Sequence, residues 1–304
     1  DALLDDNPVV NPLAHNWTRV LFSYCDGSSF TGDREEPFTF TAPDGNNYTL
    51  HFRGLRVLKA LVQHLIDYEG LNDAKEVLFT GCSAGGLSSI ILANRLRSLL
   101  PETITKYKVA PRSGMFLWES NMVGLPVFET QMRSMFDLHH SITGMDQTCI
   151  QMHSSDPWKC LSAVVTFEFI KYPVFLVQSQ YDTWMESCIQ GAMPCSPTAW
   201  QNGNCSAVPG WQKCFEWDNP DNCTADQRHL IESSWGKSLR NVLDTSEVLH
   251  APGNGVYLLN CWTHCGDDDW AHVLVDGVQG NEAVSYWWVA DPSSTPASFL
   301  SHVD

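Results

Sequence analysis

The stretch that decides the fold runs from Glu76 to Gly86 and reads Glu-Val-Leu-Phe-Thr-Gly-Cys-Ser-Ala-Gly-Gly. Its first part, Glu76 to Thr80, is a short apolar segment that predicts a buried strand. A tight turn, Gly81 to Gly86, comes next, and residues 87–100 then show a helical pattern that ends at Pro101. Strand, turn and helix in this order predict a parallel βαβ unit with the neighbouring elements.

The turn contains a serine in a pattern typical of hydrolytic enzymes. Gly81-Cys82-Ser83-Ala84-Gly85 has the form G-x-S-x-G between a strand and a helix, which predicts a nucleophile elbow that exposes the Ser83 hydroxyl above the sheet. The backbone N–H of Ala84 is then placed to donate to a tetrahedral oxyanion. An ordinary glycine-rich turn is the alternative interpretation of these residues.

The segments around this unit extend the alternation of strands and helices. Trp17 to Tyr24 alternates and is rich in β-forming residues, which predicts a strand. A helix is predicted from Arg53 to a terminating Gly70, with its apolar face formed by Leu55, Leu58, Val62, Leu65 and Ile66. Further along, 174–177 and 256–259 predict buried strands, and Thr224 with Gln227 predicts a capping box at a helix start.

A serine hydroxyl needs a base to take its proton and an acid to orient that base. Asp182 follows the predicted strand at 174–177, and His264 follows the one at 256–259, between Cys261 and Cys265. The order Ser83, Asp182, His264 is the order expected when each residue lies just beyond a strand. Asp182 as a plain helix N-cap and His264 as a surface histidine are the alternatives.

A second histidine and an acidic run follow His264. His272 is the rival base, and with Asp267, Asp268 and Asp269 it gives a mixture of imidazole and carboxylate groups that metals bind. The carboxylates are adjacent in sequence and converge poorly on one ion, so we expect a solvated acidic loop. We therefore predict no metal and no other cofactor.

The cysteine content indicates an oxidising compartment. The chain has 11 cysteines in 304 residues, and six of them lie in loop-like sequence: Cys188, Cys195, Cys205, Cys214, Cys223 and Cys261. Disulfides are expected, and the odd number leaves at least one cysteine unpaired within this chain, for which Cys82 is the first candidate. N-glycosylation sequons begin at Asn16, Asn47, Asn204 and Asn222.

Length and charge limit the classes of function. We expect one catalytic domain over 1–304, with a disulfide-rich insertion at 186–223 and a second, lid-like excursion at 132–160. The net charge of −17 argues against nucleic acid and anionic membranes as partners. No apolar stretch reaches the roughly 18 residues of a membrane-spanning helix.

Four segments together resemble the family that contains the pectin acetylesterases and Notum: 24–33 (Tyr-Cys-Asp-Gly-Ser-Ser-Phe-Thr-Gly-Asp), 81–86, 181–184 (Tyr-Asp-Thr-Trp) and 261–265 (Cys-Trp-Thr-His-Cys). The resemblance implies an α/β-hydrolase fold, with a mostly parallel central sheet and helices on both faces. It also implies metal-free ester hydrolysis, with Ser83, Asp182 and His264 on the matching positions.

Details of the match favour the plant-type pectin acetylesterases. The Cys-Asp-Gly segment at Cys25 is similar to theirs. The segment Pro111-Arg112-Ser113-Gly114 departs from the family, which usually has an acidic residue before that glycine. The family also has an upstream Gly-Gly segment with Trp and Cys that supplies further oxyanion donors. We expect this chain to lack the N-terminal strands that carry that segment, and we expect Cys25 to be unpaired.

The function that we predict is hydrolysis of acetyl esters of cell-wall pectin by a secreted, glycosylated monomer. Its partner would be an acetylated polysaccharide. A Notum-like carboxylesterase that removes a fatty acyl group from a secreted protein is the first alternative, and a non-catalytic carbohydrate-binding relative is the second. The acidic chain requires a local basic patch or an acidic working pH to approach polyanionic pectin.

Overall fold

The strands of the chain form one parallel sheet and two short hairpins. The computed structural model describes residues 2–194, 207–216, 219–266, 272–291, 293 and 297–300. In chain order the strands are β1 Phe38–Thr41, β2 Asn47–Leu50, β3 Glu76–Cys82, β4 Lys106–Arg112, β5 Phe175–Tyr181, β6 Gly255–Trp262, β7 Leu274–Val275, β8 Val278–Gln279 and β9 Ala297–Leu300. The sheet has the order β3-β4-β5-β6-β9, and every neighbouring pair in it is parallel. The hairpins β1–β2 and β7–β8 are antiparallel.

Alternate residues of the central strands enter two separate hydrophobic cores. Leu176 and Leu258 belong to the larger core, whereas Val177 and Tyr257 belong to the core on the other face. This alternation follows from the opposite directions of successive side chains in a strand. Because both faces are covered, β5 is buried along its whole length, as expected for a strand inside a parallel sheet.

Helices cover both faces of the sheet. They are α1 Gly54–Tyr68, α2 Ala84–Leu99, α3 Val127–His139, α4 Gln147–Met152, α5 Ala163–Phe167, α6 Thr183–Met185, α7 Ala225–Leu230, α8 Gly236–Thr245, α9 Glu247–His250 and α10 Gly280–Val289. Ile90 of α2 and Leu239 of α8 join the larger core, while Trp287 of α10 joins the other. The predicted α/β class, with a parallel sheet between helical layers, is confirmed.

Local sequence signals located several elements correctly. Helix α1 buries Leu55, Leu58 and Val62, and Gly70 beyond its end has φ 78°, the left-handed conformation that glycine adopts readily. The capping box of Thr224 and Gln227 is formed at the start of α7. The predicted strands at 174–177 and 256–259 are the cores of β5 and β6.

The predicted strand at Trp17 to Tyr24 is wrong. This segment has no regular secondary structure and pairs with no strand among the described residues. Val20, Leu21 and Tyr24 are 47%, 76% and 45% exposed. An alternating pattern becomes a strand only where a neighbour supplies hydrogen bonds and a packed face.

The two predicted excursions contain helical turns and disulfides. The excursion at 132–160 is mostly helical, from α3 through α4 to the 3₁₀ segment Pro157–Leu161, and Cys149 is bonded to Cys160. The excursion at 186–223 begins with a π-helical turn at Glu186–Gln190, and Cys214 is bonded to Cys223 near its end. Cys195, Cys205 and Asn204 lie outside the described residues. No helix in the described ranges is long and apolar enough to cross a membrane.

Candidate active site

Ser83 alone forms the turn between β3 and α2. Strand β3 ends at Cys82 and α2 begins at Ala84, and Ser83 has φ 59° and ψ −123°. A positive φ costs a non-glycine residue energy and is frequent at functional sites. The Ser83 N–H donates to the carbonyl oxygen of Arg112 at 3.1 Å, which anchors the turn to β4.

Two glycines make this sharp turn sterically possible. A Cβ on Gly81 would lie 2.5 Å from the backbone of Gly85, and a Cβ on Gly86 would lie 2.1 Å from the carbonyl oxygen of Arg112. Neither distance is compatible with a side chain. The glycines therefore allow α2 to start directly against the ends of β3 and β4.

Asp182 lies just beyond β5, fully buried, and its carboxylate has several partners. Oδ1 accepts hydrogen bonds from the N–H groups of Trp184 and Met185, each at 3.1 Å, and Oδ2 accepts one from Nε2 of Gln178 at 3.2 Å. Asp182 is thus the N-cap of α6, which was the alternative interpretation of this residue in the sequence. The cap also fixes the carboxylate for a further contact.

That contact is with His264, which follows β6. Nδ1 of His264 lies 2.9 Å from both carboxylate oxygens of Asp182. The pairing places the imidazole proton on Nδ1 and leaves the lone pair on Nε2. Nε2 is buried and has no hydrogen-bond partner within the described chain, so it is available as a base. The residue that pairs with Asp182 is therefore His264, and the rival His272 is exposed.

A disulfide joins the serine turn to the histidine loop. Cys82 is bonded to Cys265, with Cα atoms 5.8 Å apart, so the prediction of Cys82 as a free thiol is wrong. Among the described residues, Cys25 is exposed and forms no disulfide. The chain thus brings Asp182 and His264 into contact and tethers them to the Ser83 turn. No hydrogen bond joins Ser83 to His264 in the described residues, and such bonds are often long in unliganded enzymes.

Arg112 and Ser113 support the histidine loop, a role that sequence reasoning missed. Nη2 of Arg112 donates to the carbonyl oxygen of Cys265 at 2.6 Å, and the N–H of Cys265 donates to Oγ of Ser113 at 3.1 Å. Arg112 is only 1% exposed. The departure of its segment from the usual acidic residue was the available signal, because a buried guanidinium requires acceptors nearby.

Aromatic rings form one wall beside the imidazole. The ring of His264 lies 6.2 Å from that of Phe116 and 6.3 Å from that of Trp184. Phe116 and Trp184 contact each other at 4.7 Å, and Phe128 packs against both. Phe116 and Phe128 are buried and Trp184 is half-buried, so the wall keeps water from that side of the imidazole.

The start of α2 supplies a donor for developing negative charge. The N–H of Ala84 makes no hydrogen bond in the described structure, as expected at the first position of a helix. It points from the same turn as Ser83, and the helix N-terminus adds a partial positive charge. This arrangement can stabilise an oxyanion.

The sequence also offers a possible metal-binding run and four N-glycosylation sequons. Among the described residues, no group of three His, Cys, Asp or Glu side chains is arranged to hold a metal ion, and Asp267, Asp268 and Asp269 lie outside those residues. Asn16 and Asn47 are exposed, whereas Asn222 is half-buried and its Nδ2 donates to the carbonyl oxygen of Glu216 at 2.6 Å. The side chains of Asn16 and Asn47 are accessible from solvent, as glycan attachment requires.

Comparison with known proteins gives consistent matches. The family model described as pectinacetylesterase matches residues 1–296. Pectin acetylesterase 5 of Arabidopsis thaliana is 30% identical over 266 residues, which cover 87% of this chain and 56% of that protein. The palmitoleoyl-protein carboxylesterase NOTUM of Drosophila melanogaster is 24% identical over 295 residues, 94% of this chain and 37% of that protein. The solved structure of the Wnt deacylase Notum from Drosophila matches with a TM-score of 0.68 at 21% identity, over 99% of this chain and 76% of the other.

A parallel sheet with a serine elbow at its edge defines an α/β-hydrolase. Within that class, the chain belongs to the pectinacetylesterase family, a family of carboxylic ester hydrolases. It spans little more than half the length of the plant relative described above.

Proposed function

We propose that the chain is a serine carboxylesterase that releases acetyl groups from cell-wall pectin. The observation that carries the proposal is the contact between Nδ1 of His264 and the carboxylate of Asp182, at 2.9 Å to each oxygen. It lies at the sheet edge where Cys82 and Cys265 tie the Ser83 turn to the same loop. A base, its orienting acid and a strained serine thus share one edge of the sheet.

In the first step, Oγ of Ser83 attacks the acetyl carbonyl carbon while Nε2 of His264 takes the hydroxyl proton. The tetrahedral oxyanion receives a hydrogen bond from the N–H of Ala84. When this intermediate collapses, the bond to the sugar oxygen breaks. That oxygen takes the proton back from Nε2, and the acetyl group stays on Ser83.

In the second step, water replaces the sugar. Nε2 of His264 takes one proton from water as its oxygen attacks the acetyl carbonyl, and the bond to Ser83 then breaks. Ser83 Oγ takes the proton from Nε2, and the product leaves as acetic acid, which releases its remaining proton to solvent and becomes acetate. Asp182 stays ionised throughout, holding the imidazole in one tautomer and stabilising its cation.

The acetyl group and the polymer are inferred from relatives. Plant relatives named pectin acetylesterases support acetylated pectin. The partly buried ring of Trp184 beside His264 favours a second candidate, removal of a longer acyl chain, because it adds an apolar group next to the imidazole. The relative named palmitoleoyl-protein carboxylesterase supports that second candidate.

Secretion is part of the same proposal. The disulfides Cys82–Cys265, Cys149–Cys160 and Cys214–Cys223 favour an oxidising compartment, and we propose the cell wall as the working site of a monomer. We propose glycans at Asn16, Asn47, Asn204 and Asn222.

Hydrolysis of p-nitrophenyl acetate and labelling by a fluorophosphonate test the ester chemistry. We expect wild-type chain to be active and labelled, Ser83→Ala to lose both properties, and Ser98→Ala, an exposed serine on α2, to keep them. If folded wild-type chain is neither active nor labelled, the non-catalytic carbohydrate-binding alternative is favoured. Release of acyl groups from acetylated pectin, acetylated xylan and a palmitoleoylated peptide then separates the substrate classes.

A further inference from the structure

Two tryptophans stack near the candidate active site. The rings of Trp118 and Trp158 are almost parallel, with an interplanar angle of 4° and centroids 5.6 Å apart. Trp118 lies in the chain that follows β4, and Trp158 lies in the 3₁₀ segment Pro157–Leu161. Both are only partly buried, so parts of the two rings face solvent.

An arginine without an anionic partner lies over one of these two rings, that of Trp158. The guanidinium carbon of Arg133, on α3, is 5.3 Å from the ring centroid of Trp158. Arg133 is exposed and makes no ion pair or hydrogen bond with a described residue. In a chain of net charge −17, where carboxylates are abundant, an unpaired arginine is free to receive an anion from outside.

Glu129 and Asp137 lie four residues before and after Arg133 on α3, but neither carboxylate forms an ion pair with the guanidinium among the described residues. Nζ of Lys159 lies 5.8 Å from the Trp158 ring and pairs with Asp156 at 3.2 Å. The carboxylate of Glu119, next to Trp118 in sequence, accepts a hydrogen bond from Gln190 at 3.4 Å. Arg133 is therefore the cation of this cluster that is left for a ligand.

The cluster lies close to the imidazole. Phe116, whose ring is 6.2 Å from that of His264, precedes Trp118 by two residues, and two residues of extended chain span about 7 Å. A sugar polymer whose ester reaches Ser83 would therefore place a neighbouring ring within reach of the two tryptophans.

We propose that Trp118, Trp158 and Arg133 form a subsite that binds a galacturonate unit of the polymer beside the ester being cleaved. A galacto-configured ring has one face of C–H groups, which packs on an aromatic surface, and its carboxylate pairs with a guanidinium through charge-assisted hydrogen bonds. Arg133 supplies an unpaired cation through which an acidic protein can hold an acidic polymer at this point. This inference rests on the proposed esterase function and specifies its substrate.

The test compares a polymeric and a small substrate in the same variants. For Arg133→Glu we expect KM on acetylated polygalacturonate to rise roughly tenfold or more, because a charge-assisted contact becomes a repulsion. We expect kcat/KM on p-nitrophenyl acetate to stay within about twofold, since the small ester does not reach the cluster. Arg133→Lys should recover part of the affinity, and Trp158→Ala should raise KM on the polymer without changing kcat on the small ester.

The control variant is Lys171→Glu, which makes the same change of net charge. Lys171 lies before the amino end of β5, whereas Ser83 follows the carboxyl end of the parallel strand β3. This variant should keep the wild-type KM for the polymer. An Arg133→Glu enzyme with wild-type KM on acetylated polygalacturonate would overturn the subsite, as would an equal rise of KM on neutral acetylated xylan. If the wild-type enzyme itself does not hydrolyse p-nitrophenyl acetate, the esterase function is contradicted, whatever the variants do.

Discussion

Cys82 and Cys265 are joined by a disulfide, which connects the residue before Ser83 to the residue after His264. The bond closes a loop over a sequence separation of 183 residues and brings the two Cα atoms within 5.8 Å. Together with the contacts of Arg112 and Ser113 to Cys265, it fixes the distance between the serine turn and the histidine loop. Its removal should therefore affect catalysis as well as stability.

The variant Cys82→Ser with Cys265→Ser should lower kcat on p-nitrophenyl acetate by about tenfold to a hundredfold, because small displacements of a catalytic group have effects of this size. The control is Cys149→Ser with Cys160→Ser, which opens a disulfide of sequence separation 11. Both variants should lower Tm, and the control should keep kcat when assayed well below its Tm. Equal losses of kcat in the two variants would assign the disulfide a stabilising role only.

The carboxylate of Asp182 has two functions that a single substitution separates. In Asp182→Asn, the amide oxygen can still accept the hydrogen bonds of the α6 N-cap, but the imidazole loses its anionic partner. We expect kcat to fall by about 10⁴, the size of effect seen when an orienting carboxylate is neutralised, with Tm lowered by only a few degrees. Steady-state kinetics and thermal unfolding measure both quantities.

Asp146 is the matched control for Asp182. Its carboxylate also caps a short helix, accepting from the N–H groups of Thr148 and Cys149, and none of its contacts is with His264. Asp146→Asn should keep kcat while changing Tm by a similar amount. A kcat of Asp182→Asn within tenfold of wild type would show that the carboxylate does not orient the base.

Features that depend on neighbouring residues were predictable from the sequence. The Ser83 turn is set by the glycines around it, and the Asp182 cap is set by the free N–H groups two and three residues later. The parallel class followed from strands and helices that alternate along the chain. In each case the determining interactions lie within a few residues.

Some features that depend on distant partners were not predictable, although the pairing of Asp182 with His264 was. The partner of Cys82 is Cys265, which only the fold brings close, and the segment from Trp17 to Tyr24 has strand-forming residues without a neighbouring strand. Arg112 reads as a surface residue by type, yet it is buried because the carbonyl oxygen of Cys265 accepts its hydrogen bond.

The glycines of the serine turn give a pair of variants with opposite expectations. Gly81→Ala would place a Cβ 2.5 Å from the backbone of Gly85, where nothing can move aside. We expect loss of activity and a fall in stability of about 2 kcal/mol or more, within the range for strained backbone positions. Gly85→Ala meets no atom within 4 Å and should fold, with stability close to that of wild type by urea unfolding. Equal stability of the two variants would contradict this account of the turn.

His139 makes the stability of the fold depend on pH. It is 5% exposed, its ring lies 4.0 Å from that of Phe52, and its Nδ1 has no hydrogen-bond partner in the described chain. Burial lowers the pKa of His139, against the opposing effect of the Asp26 carboxylate and with a smaller contribution from Arg34. The unfolded chain therefore binds this proton at higher pH than the folded chain does.

Because the folded pKa of His139 is the lower one, its contribution to stability is complete above pH 6.5 and decreases as the pH falls below that value. The slope is at most about 1.4 kcal/mol per pH unit. His139→Gln removes this proton, so its free energy of unfolding in urea should change less between pH 6.5 and 5 than that of wild type. The control is His51→Gln, at an exposed side chain with no hydrogen bond or ion pair to a described residue, and it should keep the wild-type slope. If His139→Gln shows the same slope of unfolding free energy against pH as wild type, the pH dependence comes from other groups.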